Sequence, residues 1–142
     1  MKFEKRKFSK RFPEVECAFF TVHDSKRDDN GYRGTAVALI LPDGRFWTGL
    51  SICSPEDHFE KHLGVTVATG RAVSSHVSQQ IYEYINLAAK DALYEMQMIL
   101  QSLLKIERVN TARFHREILQ RRIANLQEQL AGRMSCTHFK LL

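Results

Sequence analysis

The chain has 142 residues, 44% of them hydrophobic, and a formal charge of +5; that is enough for one core and too little for two comfortable domains. No apolar run approaches the roughly 18 residues of a membrane span, and the opening MKFEKRKFSKRF has no apolar stretch of the kind a secretory leader needs, so the expected location is the cytoplasm and no membrane partner is expected. Cys17, Cys53 and Cys136 are odd in number, far apart and without a C-x-x-C pair, which argues against both a disulfide framework and a cysteine zinc site.

The charge is concentrated at the start. Residues 1–12 carry six cations against Glu4, whereas the other 130 residues hold 15 basic and 15 acidic side chains. Such an arm reads either as a phosphate-contacting segment or as a solubilising tail, and Phe3, Phe8 and Phe12 between the cations favour docking somewhere. A meander is expected over residues 14–53. Glu14–His23 is aromatic and β-branched, and a polar loop runs from Asp24 to Gly31. Gly34–Leu41 and Arg45–Cys53 then flank Pro42-Asp43-Gly44, a turn between antiparallel strands. His23-Asp24 reads as a strand end, since adjacent strand residues point to opposite faces.

A helix over 54–72 should follow. Ser54 would be its N-cap, Pro55 its first helical residue, and Glu56 and Asp57 its acidic first turn, with Asp57 completing a variant capping box. Phe59, Leu63 and Val67 would lie on the sheet. Gly64 and Ala68 form a smooth second face suited to close backbone approach, and Gly70 would end or break the helix. A helical hairpin is expected over 76–132. Its first arm, Ser78 to Ile106, places Ile81, Ile85, Ala88, Ala92, Met96, Ile99, Leu103 and Ile106 at steps of three and four. Asn110 would cap the second arm, where Ala112, Leu119, Ile123, Leu126 and Leu130 keep heptad-like spacing up to Gly132. Arg108, Arg113, Arg116, Arg121, Arg122 and Arg133 add a basic cluster. The expected fold is therefore a single α+β domain: a three-stranded antiparallel meander, a short helix and a long C-terminal helical hairpin. Three strands offer less cover than the hairpin needs, and the leftover apolar stripe points to a homo-oligomer, with packing inside one chain as the alternative.

No catalytic centre is legible. His58 and His62 are spaced i, i+4 as in helical zinc pairs, but Phe59 stands where a metalloprotease needs Glu, and no third ligand is indicated, so no metal is expected. No nucleotide-binding glycine motif or nucleophile elbow occurs either, so neither an enzyme nor a cofactor is expected; a hydrolase using His58 or His62 is the weakest reading. Binding is better supported. Arg71 after Gly70, Arg33 beside the loop, and Arg45 with Trp47 at the hairpin turn are the candidate ligand contacts, because arginine clamps phosphate and an aromatic ring stacks a base. The acidic residues expected in the helix's first turn would repel an anion there, which puts the phosphate near Arg71 and the loops.

Asp57, Phe59, Lys61, Gly64, Ala68, Gly70, Arg71 and Ala72 together follow the pattern D-x-F-x-K-x-x-G-x-x-x-A-x-G-R-A. This stretch of about 20 residues resembles one found in small, mostly phage-encoded proteins. With the layout of a small sheet followed by helices, it is similar to the phage anti-Thoeris proteins, non-enzymatic sponges that hold cyclic ADP-ribose signals as oligomers. The resemblance implies an anti-defence protein in the host cytoplasm that sequesters a nucleotide-derived second messenger, cyclic ADP-ribose or a cyclic oligonucleotide, between protomers. It suggests Arg71 as a contact. The alternative is a small phage protein that uses the basic arm to bind nucleic acid or inhibit a host protein.

Overall fold

The computed structural model describes residues 2–7, 16–78 and 84–141, with side chains over 16–74 and 84–132. Phe8, Lys10, Arg11, Phe12, Glu14 and Ile81 lie outside the described residues. Four strands, β1 (Lys2–Lys7), β2 (Glu16–His23), β3 (Arg33–Ile40) and β4 (Phe46–Cys53), form one antiparallel sheet in chain order. They are followed by α1 (Lys61–Ser78) and α2 (Ala92–Leu141). The fold is α+β, as the sequence predicts. The basic arm is not a tail over residues 2–7: its backbone pairs with β2 from Lys2 opposite Thr21 to Lys7 opposite Glu16, adding a fourth, edge strand to the expected three.

The β3–β4 hairpin turns where Pro42-Asp43-Gly44 predicts. Gly44 takes φ 93° and donates to the Leu41 carbonyl at 2.9 Å, while the Leu41 N–H bonds the Arg45 carbonyl at 2.8 Å. Side chains alternate across the pleat, and here both faces are covered. Ala18, Phe20, Val22, Ala36, Ala38, Ile40 and Phe46 pack with Ile85 and with Met96, Leu100 and Leu104 of α2. Cys17, Phe19, Val37, Leu39 and Trp47 pack on the opposite face beneath Ala68 and Ala72 of α1. Double cover explains why β3 is almost uniformly apolar rather than alternating. Each of Met96, Leu100 and Leu104 is fully buried, a gain of roughly 2 kcal/mol apiece.

Helix α1 begins seven residues later than expected. Ser54–Asp57 is a turn closed by Asp57 N–H to Ser54 O at 3.2 Å and by Ser54 Oγ–H to the Asp57 carboxylate at 2.9 Å. The capping pair therefore closes this turn instead of starting a helix, and the first turn of α1 holds no acidic residue. The sheet-facing stripe is also the other one. Gly64, Ala68 and Ala72 are buried, while Leu63 is 56% exposed. A Cβ built on Gly49 of β4 would lie 1.8 Å from the Ala68 carbonyl oxygen, so helix and strand meet backbone to backbone and larger residues are pushed to the flanks.

Gly70 neither ends nor breaks α1; it is an exposed position inside it, and an added Cβ would meet nothing within 4 Å. Replacing it with Ala removes the backbone-entropy cost of a mid-helix glycine, so Gly70→Ala should stabilise the fold by about 0.5–1 kcal/mol, seen as a higher urea midpoint at unchanged slope.

Tyr84 bridges Arg45 beside the β3–β4 turn, and residues 87–91 form turns in which the Asn86 side-chain oxygen accepts from Ala88 N–H at 3.0 Å. The hairpin is a single helix instead: Asn110 and Gly132 both lie within α2. Asn110 is a weak helix former, but neither proline nor a glycine pair accompanies it, and one such residue costs too little to break a long helix. Residues 1–109 form one compact unit, and the length of α2 from Asn110 onward forms a second.

Candidate functional site

One end of the sheet gathers the chemistry. The loop after β2 is built on Asp28, whose carboxylate accepts the N–H groups of Asn30 at 3.0 Å and Tyr32 at 2.8 Å. That geometry aims Arg27 at three carbonyls, Gly31 at 2.6 Å, Ser54 at 3.0 Å and Asp57 at 2.5 Å, pinning the Ser54–Asp57 turn to the loop. Phe59, just before α1, is held from two sides. The Arg33 guanidinium stands 4.1 Å above its ring, and His23 meets it edge-on at 6.0 Å and 82°.

His23 ends β2 and shares a 2.7 Å hydrogen bond through Nδ1 with Thr35 Oγ1, its fully buried cross-strand neighbour. Gly64 lies over that hydroxyl, since a Cβ there would come within 2.5 Å of it. Asp24, next in sequence, serves different partners: it accepts Gly34 N–H at 2.8 Å and ion-pairs with Arg108 of α2. Arg108 also reaches Asp28 at 3.3 Å.

Burial, reinforced by the charges of Lys61 and Arg33 and only partly offset by Asp24, lowers the His23 pKa below its ordinary value. Folding therefore favours neutral His23. Its contribution to stability is complete above the unfolded pKa near 6.5 and is lost as pH falls through the folded pKa. His23→Gln should flatten the drop in urea midpoint between pH 7.5 and 5.5; an unchanged pH profile would assign that drop to other groups.

Beside Phe59 a cleft of about 450 Å³ opens between β4 and the start of α1. Ser51, Ile52 and Cys53 form one wall, the segment Asp57 to Glu60 the mouth, and Leu63, Gly64 and Val67 of α1 the other wall. The volume suits a nucleotide-sized ligand. The first bond into α1 is Gly64 N–H to Glu60 O at 3.0 Å, so the preceding N–H groups lie at the helix's positive end beside this cleft. The acidic residues nearest that end are not those expected: Glu56 sits outside the helix and Asp57 receives the Ser54 hydroxyl, while Glu60, just before Lys61, stands at the helix start and lines the cleft. A second hollow of about 610 Å³ on the α2 side is lined by Phe46, Tyr84, Met98, Ile99, Ser102 and Leu103, none of them charged to hold an anion.

The four expected ligand residues do not form one site. Arg33 supports the cleft through Phe59. Arg71 lies on α1 one turn beyond Val67 and donates from Nη1 to the Leu50 carbonyl at 2.5 Å, beside the Ser51 wall. Arg45 is at the other end of β4, paired with Asp43 at 2.5 Å. Trp47 is 5% exposed within the core under α1, where it cannot stack on a ligand. His58 is exposed and precedes α1, so His58 and His62 do not share a helical face. No group of three or more metal-ligating side chains occurs among the described residues. Cys17 is buried in the core, and the Cys53 thiol donates to the Asp57 carbonyl at 3.5 Å.

His58 is legible in the sequence only as a metal or hydrolase candidate and Phe59 only as a core position; both fall where a helix is expected, and nothing local to Ser54–Glu60 reveals that Arg27, nearly 30 residues earlier, holds the segment out of the helix. No helix among the described residues is long and apolar enough to cross a membrane. No family model, curated protein or solved structure matches the chain.

Proposed function

We propose that the protein is a non-enzymatic anti-defence protein that binds and sequesters a nucleotide-derived second messenger, with the cleft between β4 and α1 as each protomer's share of the site. The observation that carries this is the positive end of α1, without acidic residues in its first turn, at the edge of a nucleotide-sized cleft. A phosphate belongs at the helix end, near His58. The carboxylates of Asp57 and Glu60 suit ribose hydroxyls, which donate to them, and Ile52, Leu63 and Val67 offer apolar contact to the rest of the ligand. Arg71 stands one turn beyond Val67, bonded to the Leu50 carbonyl next to the cleft wall. The class of messenger, cyclic ADP-ribose or a cyclic oligonucleotide, comes from the motif resemblance.

Calorimetric titration with cyclic ADP-ribose and with a cyclic dinucleotide tests the reading. Binding by one of them, recovered intact after heat release, is the expected result, with the His58→Ala, Arg71→Ala double variant weakened about tenfold or more, about 1.4 kcal/mol per decade. Absence of binding to both, or recovery of a cleaved product, would overturn it.

A further inference from the structure

Phe59 lines the cleft yet belongs to neither core. It is half-buried at the mouth, apart from the cluster packed on α2 and from the cluster beneath α1, so core packing does not account for its position. Its two neighbours are themselves anchored. Arg33, 4.1 Å over one face of the ring, donates from Nε to the Asp24 carbonyl at 2.8 Å. His23, edge-on to the ring at 6.0 Å, is fixed by its 2.7 Å bond to Thr35 Oγ1.

Neither Arg33 nor His23 lines the cleft, whereas Phe59 does. The two neighbours therefore take one face and one edge on the side away from the cleft, and the opposite face is left to be presented to it. A ring held in this way suits stacking, because the entropy of ordering it is already lost before a ligand arrives. The guanidinium behind it also completes a stack by cation–π attraction. We propose that the open face of Phe59 stacks the base of the ligand, in the order Arg33, Phe59, base, so that a planar aromatic base is required for binding. This rests on the nucleotide reading of the cleft and adds to it the group that selects the ligand. Arg33 is then a positioning residue, acting on the ligand through the ring and not on a phosphate.

Titration of wild type, Phe59→Leu and Phe59→Tyr with cyclic ADP-ribose and with a cyclic dinucleotide tests it, with ribose 5-phosphate as a competitor that lacks a base. The ligand that wild type binds should lose affinity about tenfold or more with Phe59→Leu and keep it with Phe59→Tyr, which restores the flat face. Its ultraviolet base band should weaken on binding to wild type and to Phe59→Tyr, a sign of stacking that a merely structural ring would not give. Ribose 5-phosphate should fail to compete. Equal affinity for wild type and Phe59→Leu, loss of binding in Phe59→Tyr as well, or effective competition by ribose 5-phosphate would overturn the stacking and leave the nucleotide reading standing. Failure of wild type to bind either cyclic ligand would overturn both.

Discussion

Replacing Gly49 with alanine should cost about 3 kcal/mol or more, the upper end of what overpacking produces. The new methyl would lie 1.8 Å from the Ala68 carbonyl oxygen and 2.6 Å from the Ala72 nitrogen. Both are backbone atoms, which no side-chain rotamer can move aside. Relief requires α1 to lift from β4, and lifting uncovers Trp47, Val37 and Leu39 beneath it. Denaturant unfolding of Gly49→Ala beside Gly70→Ala makes the comparison sharp: one methyl on β4 should lower the midpoint strongly and one on α1 should raise it. A Gly49→Ala loss below about 1 kcal/mol would mean that helix and strand are less closely apposed than described.

Asp24→Ala is the second large effect, at about 2–3 kcal/mol. The carboxylate satisfies the Gly34 N–H and pairs with Arg108, at side-chain exposures of 16% and 18%. Its removal leaves a backbone donor and a largely buried guanidinium short of a partner, and uncompensated buried charge is what makes broken pairs costly. Arg108 retains Asp28 at 3.3 Å, which limits the loss. Asp24→Asn keeps an acceptor for Gly34 and should cost clearly less than Asp24→Ala. Indistinguishable urea midpoints for wild type and both variants would remove the network from the account of stability.

Local chemistry explains which parts of this fold are legible from the residues. Pro42-Asp43-Gly44 specifies its turn within three residues, and the β3–β4 hairpin forms as expected. Gly64 and Ala68 announce close approach, and they are where α1 meets the sheet. The N-terminal strand is harder to see because four of its six residues are cations, the composition of an edge strand that resists further pairing. Its partner, β2, supplies the backbone pairing that its own side chains do not suggest. Because residues 2–7 belong to the sheet, removing the arm would strip an edge strand, and any loss of binding would not report on its charges.

The start of α1 is misread because Ser-Pro-Glu-Asp suits both a helix cap and a compact turn. Arg27, reaching Ser54 and Asp57 from across the sheet end, decides between them. The site inherits that error. Reading Glu56 and Asp57 as helical places their charge over the α1 terminus, whereas the structure moves the helix start past them and leaves Glu60 as the carboxylate next to it. In α2 the spacing is read correctly and the face only partly so: Met96, Ile99 and Leu103 pack as expected, but Leu100 and Leu104 are as fully buried as Met96 and Ile106 is exposed.

The order in which the layers occur along the chain has a consequence for synthesis. All four strands precede both helices, so a chain leaving the ribosome can pair its sheet by short hairpins before any cover for either apolar face exists. A half-made molecule would carry two sticky surfaces at once, and until α1 and α2 arrive its yield is a race between completing translation and meeting another nascent chain.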